Sequence, residues 1–180
     1  MEIFLIYSAN NSLLSKAIKY YTKETYNHVS LSLDENLTNT YSFGRKKISN
    51  PLIGGFVKED FWDPFFLTSE CAIYSLSVSE EEYENLLAII DFFEENKSMY
   101  RYNFIGLLAL LTPYEIAREH AYFCSEFVAT LLEQSKITSL ETEAHFVTPK
   151  DLLNLVEGTK VFEGTMVNYL STTYKKVQFV

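Results

Sequence analysis

Short runs in which apolar and polar residues alternate predict the strands of this chain. The clearest is the run 27–33, where Val29, Leu31 and Leu33 share one face and His28, Ser30 and Ser32 the other. A period of two is typical of a strand with one buried face. Other strands are predicted over Ile3–Tyr7, Thr38–Phe43, Cys71–Val78, Val161–Phe162 and Tyr174–Val180. The turn residues 34–36 lie between two of these runs, which predicts a hairpin.

Apolar residues three or four positions apart predict the helices. Ser79 and Glu82 have the spacing of a capping box and open one helix, whose apolar stripe continues to Phe93. Another begins near Cys124, follows an apolar stripe from Phe123, and ends near Gln134–Ser135. Further helices are predicted from Asn10 to about Tyr21, over Phe104–Leu111, and from Thr148 with Pro149 at the first helical position.

The stretch from Arg45 to Phe66 does not fit either period. It contains two prolines and the pair Gly54-Gly55, and we predict an irregular excursion there. Its aromatic residues are Phe56, Phe61, Trp62, Phe65 and Phe66. No repeat, low-complexity tract or linker divides the chain, so residues 1–180 are predicted to form one α+β domain.

Composition narrows the classes of partner. The formal net charge of −9 repels a phosphate backbone, so no nucleic-acid partner is expected. No basic segment precedes the apolar run at the N-terminus, and no apolar run is long enough to span a membrane, so we expect a cytoplasmic protein without a transmembrane segment. Two cysteines without metal-ligand spacing predict reduced thiols, and neither a metal nor another cofactor is expected. Composition does not indicate the oligomeric state.

Cys124 is the first candidate for chemistry. It lies in the first turn of a predicted helix, where unpaired N–H groups and the helix dipole favour a thiolate, the nucleophilic form of cysteine. The alternative is a free cysteine that serves as a small core hydrophobe, which is a common role for this residue. A nucleophile also needs a base.

Three histidines could provide that base. His28 begins a strand on its polar face, where its ring could reach a cleft. His120 lies one turn before Cys124 and could contact it locally, and His145 lies in an acidic segment where solvation is expected. A cysteine at a helix start with a histidine at a strand start is the arrangement of the papain-type dyad.

Three stretches together resemble the circularly permuted branch of the NlpC-type papain-like cysteine hydrolases, which includes the YiiX-like proteins and, more distantly, the lecithin retinol acyltransferases. The stretches are Asn27-His28-Val29-Ser30-Leu31, Phe123-Cys124-Ser125-Glu126-Phe127-Val128 and Thr148-Pro149-Lys150-Asp151-Leu152. Histidine precedes cysteine in that branch, as it does here. The resemblance implies a permuted papain-like fold, in which an antiparallel sheet packs against helices including the one that carries the cysteine.

The resemblance also implies roles for individual residues. Cys124 corresponds to the nucleophile and His28 to the general base. The family usually adds a polar residue, often acidic, on the following strand to orient the imidazole. The strand 39–43 contains no acid, so Ser42 or Tyr41 would have to orient the ring, and a hydroxyl stabilises an imidazolium less than a carboxylate does.

Four functions remain open at this point. The first is a cysteine hydrolase, an amidase, peptidase or esterase that forms a thioester on Cys124, and the second is an acyltransferase with the same site. The third is a ligand-binding module that kept the fold and lost turnover, which the missing acid favours. The fourth is a structural domain with a core cysteine.

The expected partner is a small-molecule, peptide or lipid-like substrate. We predict that Tyr7, Tyr41, Trp62 and Tyr122 bind it. If the aromatic residues between Phe56 and Phe66 flank the dyad, they form an apolar wall suited to an acyl chain. The alternative is that these aromatic residues belong to the core or cover one edge of the sheet.

Overall fold

The computed structural model describes residues 1–9, 24–46, 54–102 and 121–178. The strands in these ranges are β1 Glu2–Ala9, β2 His28–Ser32, β3 Thr40–Arg45, β4 Gly54–Glu59, β5 Glu70–Ser77, β6 Arg101–Tyr102, β7 Ala121–Tyr122 and β8 Thr159–Thr165. The helices are α1 Pro64–Leu67, α2 Glu80–Glu95, α3 Cys124–Gln134, α4 Pro149–Leu155 and α5 Met166–Gln178, with a 3-10 turn at Ala144–Phe146.

Six strands form one antiparallel sheet in the order β4-β3-β2-β1-β5-β8. Strand β1 lies inside this sheet and pairs with β5 along its whole length, from Glu2 opposite Ser77 to Ala9 opposite Glu70. Residues 3–8 of β1 are all buried, which is the pattern of a strand covered on both faces. The short strands β6 and β7 pair separately and in parallel.

The two faces of the sheet support two separate groups of buried side chains. The first core cluster joins the sheet to α2 and α3, and it includes Leu5, Val29, Phe43, Phe127 and Cys124. The second core cluster joins the opposite face to α5, and it includes Ile6, Phe61, Cys71, Met166 and Leu170. Neighbouring residues of β1 thus contribute to different clusters, because successive side chains of a strand point to opposite faces.

Much of the predicted secondary structure is confirmed. The pair β2 and β3 forms the predicted antiparallel hairpin. The Ser79–Glu82 capping box opens α2, α3 begins at Cys124 and ends at Gln134, and Pro149 is the first residue of α4 after the capping residue Thr148. The helices predicted from Asn10 to Tyr21 and over Phe104–Leu111 lie outside the described residues, as does His120.

The irregular excursion predicted from Arg45 to Phe66 is wrong where β4 forms. Gly54–Glu59 is a regular edge strand paired with β3. A Cβ atom at Gly55 would lie 2.8 Å from the carbonyl oxygen of Tyr100. Gly55 therefore marks a close approach of two backbones inside regular structure.

The strand predicted over Tyr174–Val180 is also wrong, because residues 174–178 continue α5. Between Met166 and Tyr174 of this helix, the buried residues are Met166, Tyr169, Leu170 and Thr173, which have helical spacing. This apolar stripe begins eight residues before the predicted strand and carries the helix through it.

Candidate active site

Cys124 is the first residue of α3, and its side chain is almost fully buried. The preceding residue, Phe123, is extended, and its N–H donates to the Glu126 carboxylate at 3.2 Å. The Ser125 hydroxyl donates to the carbonyl oxygen of Val147 at 2.7 Å and ties the helix start to the segment before α4. These contacts fix the first turn of α3, and with it the position of the thiol.

His28 is the first residue of β2, and its ring lies where α3 approaches this strand. Its side chain is 12% exposed, and it lies close enough to the Cys124 side chain for each group to shift the pKa of the other. The ring nitrogen Nε2 lies 2.7 Å from Glu59 Oε1, which leaves Nδ1 available to the thiol. The structure therefore brings together the cysteine and the histidine predicted from the sequence.

Glu59, the last residue of β4, lies against the far side of the His28 ring. Its side chain is only 4% exposed. Besides the contact with His28, it accepts hydrogen bonds from Ser30 Oγ at 2.5 Å and from Ser42 Oγ at 2.7 Å. Cys124, His28 and Glu59 thus form a continuous chain of side-chain contacts.

The pKa values of these three residues are coupled through their charges. Burial raises the pKa of Cys124, but the charge and hydrogen bond of His28 and the N–H groups of Val29 and Ser125 lower it below its ordinary value. Burial lowers the pKa of His28, but the charges of Glu59 and Cys124 and hydrogen bonds to both raise it well above its usual range. This arrangement favours a thiolate beside an imidazolium.

Burial also raises the pKa of Glu59, but the positive charge of His28 and three hydrogen bonds lower it below its ordinary value. The carboxylate therefore remains negative beside the ring. A carboxylate in this position both fixes the orientation of the imidazole and stabilises its protonated form.

Ser42 does not have the role predicted for it. Its hydroxyl donates to the same oxygen of Glu59 that contacts His28 Nε2. The group that contacts the ring is thus a carboxylate, and Ser42 acts on the ring through Glu59. The prediction that a hydroxyl on the strand after His28 must replace the missing acid is corrected, because the acid comes from the next strand, β4.

Three of the predicted substrate-binding residues lie on the side of the sheet that carries α3, in or against the first core cluster. The hydroxyl of Tyr7 is buried and, among the described residues, has no hydrogen-bond partner. Tyr122 lies two residues before Cys124, and its ring packs against Phe43. Tyr41 stacks on Phe56. Burial raises the pKa of Tyr41 most, and acidic residues of α2 raise it further, so the Tyr41 ring lies towards α2.

Trp62, the fourth predicted substrate-binding residue, lies elsewhere. It is half exposed and makes an edge contact with Tyr174 of α5. Its neighbours Phe61 and Phe66 pack in and against the second core cluster, whereas Phe56 is buried in the first. No described contact joins Trp62 to Cys124, so the aromatic wall beside the dyad stays a prediction.

The sequence pattern does not indicate Glu59, because the pair Gly54-Gly55 before it favours a loop. An edge strand that contains glycine where another backbone approaches would have been the better interpretation. With that strand in place, Glu59 becomes an acid beside Ser30 and Ser42 of the neighbouring strands. No pattern within the strand itself indicates that its carboxylate contacts His28.

Within the described ranges, no group of three or more His, Cys, Asp and Glu side chains is placed to hold a metal ion. No helix there is long and apolar enough to cross a membrane. No family model matches this chain, and no curated protein or solved structure matches it either.

Proposed function

We propose that the protein is a cysteine hydrolase in which Cys124 is the nucleophile, His28 the general acid–base and Glu59 the residue that orients His28. The observation that carries this proposal is the continuous contact from the thiol through the imidazole to a buried carboxylate. A nucleophile, a base and an orienting group within reach of one another are what nucleophilic catalysis requires.

In the proposed first step, the Cys124 thiolate attacks the carbonyl carbon of an amide or ester. The carbonyl oxygen becomes an oxyanion, which the N–H of Cys124 at the positive end of α3 would stabilise. The imidazolium of His28 then donates its proton to the leaving amine or alcohol as the carbon–heteroatom bond breaks. The product of this step is a thioester on Cys124 and a neutral imidazole.

In the second step, His28 removes a proton from water, and the resulting hydroxide attacks the thioester carbonyl. The carbon–sulfur bond breaks, the acid product leaves, and the thiolate–imidazolium pair is restored. If another nucleophile replaces water, the same site performs acyl transfer. The residues of the site are the same for both reactions.

We also propose that the fold is the permuted papain-like fold of the NlpC type. Three features support this: an antiparallel sheet packed against helices, a cysteine at the start of α3, and a histidine that precedes it in the chain at the start of β2. Glu59 supplies an acid beside His28, although from β4 and not from the strand after His28, where the family resemblance implies it.

The alternative of a binding module without turnover depended on the absence of an acid beside His28. The contact between Glu59 and His28 weakens that alternative. The preference for an acyl chain depends on Trp62 and its aromatic neighbours flanking the dyad, and no described contact joins Trp62 to Cys124. The proposal therefore extends to amide or ester hydrolysis, with the Tyr7 hydroxyl, which has no hydrogen-bond partner among the described residues, as a candidate contact for a polar substrate.

Activated esters and short peptide amides are suitable first probes, because both accept attack by a thiolate. We expect the wild-type protein to release p-nitrophenol from p-nitrophenyl acyl esters with an initial burst, while intact mass increases by one acyl group. That group should map to Cys124 and be removed by hydroxylamine, as a thioester is. A comparison of ester chain lengths and peptide amides then identifies the substrate class.

Cys124→Ser and His28→Ala should each abolish the burst, because a nucleophile and its base act as a unit. Cys71→Ala is the matched control, since it removes the other thiol and should leave the burst unchanged. Full activity in Cys124→Ala would contradict the mechanism. An acyl-enzyme that forms and is not hydrolysed would support the alternatives of an acyltransferase or a binding module.

A further inference from the structure

Two buried serine hydroxyls around Glu59 are not accounted for by the reaction itself. We propose that Ser30 and Ser42 are positioning residues: they hold Glu59 as an oriented carboxylate and thereby set the pH range in which Cys124 and His28 exist as thiolate and imidazolium. This role deepens the proposed hydrolase function and rests on it.

The geometry places both hydroxyls against the same carboxylate. Ser42 Oγ donates to Oε1, the oxygen that contacts His28, and Ser30 Oγ donates to Oε2. Both carboxylate oxygens are therefore occupied, and rotation of the carboxylate away from His28 would break at least one hydrogen bond. Ser30 Oγ also lies 3.3 Å from His28 Nε2, so it contacts both partners of the pair.

The sheet delivers these side chains to one place. The register of β2 and β3, with Leu31 opposite Tyr41, puts Ser30 and Ser42 side by side on the same face. Strand β4 is the next strand, and Glu59 at its end reaches back over this pair. Both serines are fully buried, so water does not supply these hydrogen bonds in their place.

The chemistry of the contacts explains why two donors are needed. A carboxylate that is buried without donors takes up a proton, because an uncompensated charge in an apolar site is costly. Among the described residues, the groups that lower the pKa of Glu59 are His28, Ser30 and Ser42, and Cys124 acts on His28. The serines keep Glu59 negative without introducing a second positive charge that would compete with His28 for it.

Loss of one donor should therefore make the imidazolium less stable relative to neutral imidazole. A carboxylate that is held less firmly against the ring lowers the pKa of His28, so the thiolate of Cys124 forms at a higher pH. The pH range of the ion pair should narrow from both ends, by a total on the order of one pH unit for each hydroxyl removed.

The test is the rate at which iodoacetamide alkylates Cys124 as a function of pH, followed by peptide mass spectrometry in Ser30→Ala, Ser42→Ala and the double variant. Ser32→Ala is the matched control: Ser32 is buried on the same strand and face, but its hydroxyl donates to the carbonyl oxygen of Asp34 at 2.9 Å. Alkylation reports the low-pH end of this range, because the thiolate stays reactive after His28 loses its proton. We expect the two single variants to raise the pH midpoint of Cys124 alkylation, the double variant to raise it further, and Ser32→Ala to retain the wild-type midpoint.

If the folded Ser30→Ala and Ser42→Ala proteins keep the wild-type pH midpoint of Cys124 alkylation, the proposed role of the serines is wrong while the proposed hydrolase stands. If wild-type Cys124 shows no enhanced reactivity at low pH, the proposed function itself fails. A second measurement does not depend on variants that fold: carboxyl carbon NMR of the wild-type protein should show Glu59 ionised to a pH below the ordinary value of about 4.3. Titration of Glu59 at or above that value would overturn the proposal.

Discussion

The protein contains two free thiols in the described residues, and both are buried: Cys71 is 0% and Cys124 3% exposed. Burial and then the charge of Glu70 raise the pKa of Cys71 to about 12. The pKa of Cys124 is lowered, although burial acts against it there as well. Burial alone therefore does not decide whether a thiol is inert or reactive.

The difference comes from what each fold element provides. Cys71 is the second residue of β5 and packs in the second core cluster, among apolar side chains of β1, β5 and α5. Cys124 begins a helix, where the positive charge of His28 and the N–H groups of Val29 and Ser125 lower its pKa. The comparison teaches that a reactive cysteine needs donors and a cation that persist after water has been removed.

The largest change in this comparison is expected from His28→Ala. Without the imidazole, Cys124 remains buried and loses its largest stabilising charge, so its pKa should rise towards that of Cys71. Alkylation of Cys124 at pH 6 should fall on the order of 100-fold or more, which corresponds to a pKa change of about two units. The labelling of Cys71 serves as the internal control, and an unchanged rate at Cys124 would show that His28 does not activate it.

Glu59→Gln should have a smaller effect, because the amide retains the shape of the side chain and loses its charge. We expect a loss of about 10-fold to 100-fold in kcat/KM for any substrate found, since the residue acts through His28. A loss equal to that of His28→Ala would mean that the charge of Glu59 alone sustains the ion pair. No loss would mean that His28 is oriented without it.

The same variant makes a prediction about stability with a defined sign. Because folding lowers the pKa of Glu59, its ionised form stabilises the fold above the unfolded pKa of about 4.3, and this stabilisation is lost as the pH falls through the folded value. The raised pKa of His28 stabilises the fold below its unfolded pKa of about 6.5, and this is lost as the pH rises through the folded value. The difference in free energy of unfolding between wild type and Glu59→Gln should therefore be greatest between these two values, and urea titrations at a series of pH values would measure it.

Cys71→Ala should change reactivity least. The labelling of Cys124 should be unchanged, because Cys71 packs in the second core cluster and Cys124 in the first. Stability should fall by about 1–2 kcal/mol, since a fully buried side chain is shortened. A large drop in Cys124 labelling would indicate that the two sides of the sheet are coupled.

The parts of the site that local patterns could predict are those that one element carries by itself. The period of two around His28 and the helical stripe after Cys124 place each residue at the start of its element, and both predictions are confirmed. Glu59 could not be placed in this way, because its contact with His28 depends on the register of three strands. The two glycines before it also suggested a loop.

The fold was predicted to a similar extent. The α+β class and the β2–β3 hairpin follow from local period and are confirmed. The face on which Trp62 packs depends on how the chain crosses the edge of the sheet after β4, which no local pattern reports. The strand predicted from Tyr174 is wrong because the helical period of α5, which begins at Met166, continues through Tyr174.

The central claim is that His28 and Glu59 make Cys124, and not Cys71, a thiolate at neutral pH. The most direct test is to alkylate the folded wild-type protein with iodoacetamide across a pH series and to quantify both cysteine peptides by mass spectrometry. We predict that Cys124 is labelled with a midpoint well below the ordinary thiol pKa of about 8.5, while Cys71 is labelled only after denaturation. A midpoint for Cys124 at or above about 8.5, or equal protection of both thiols in the folded protein, would contradict the account.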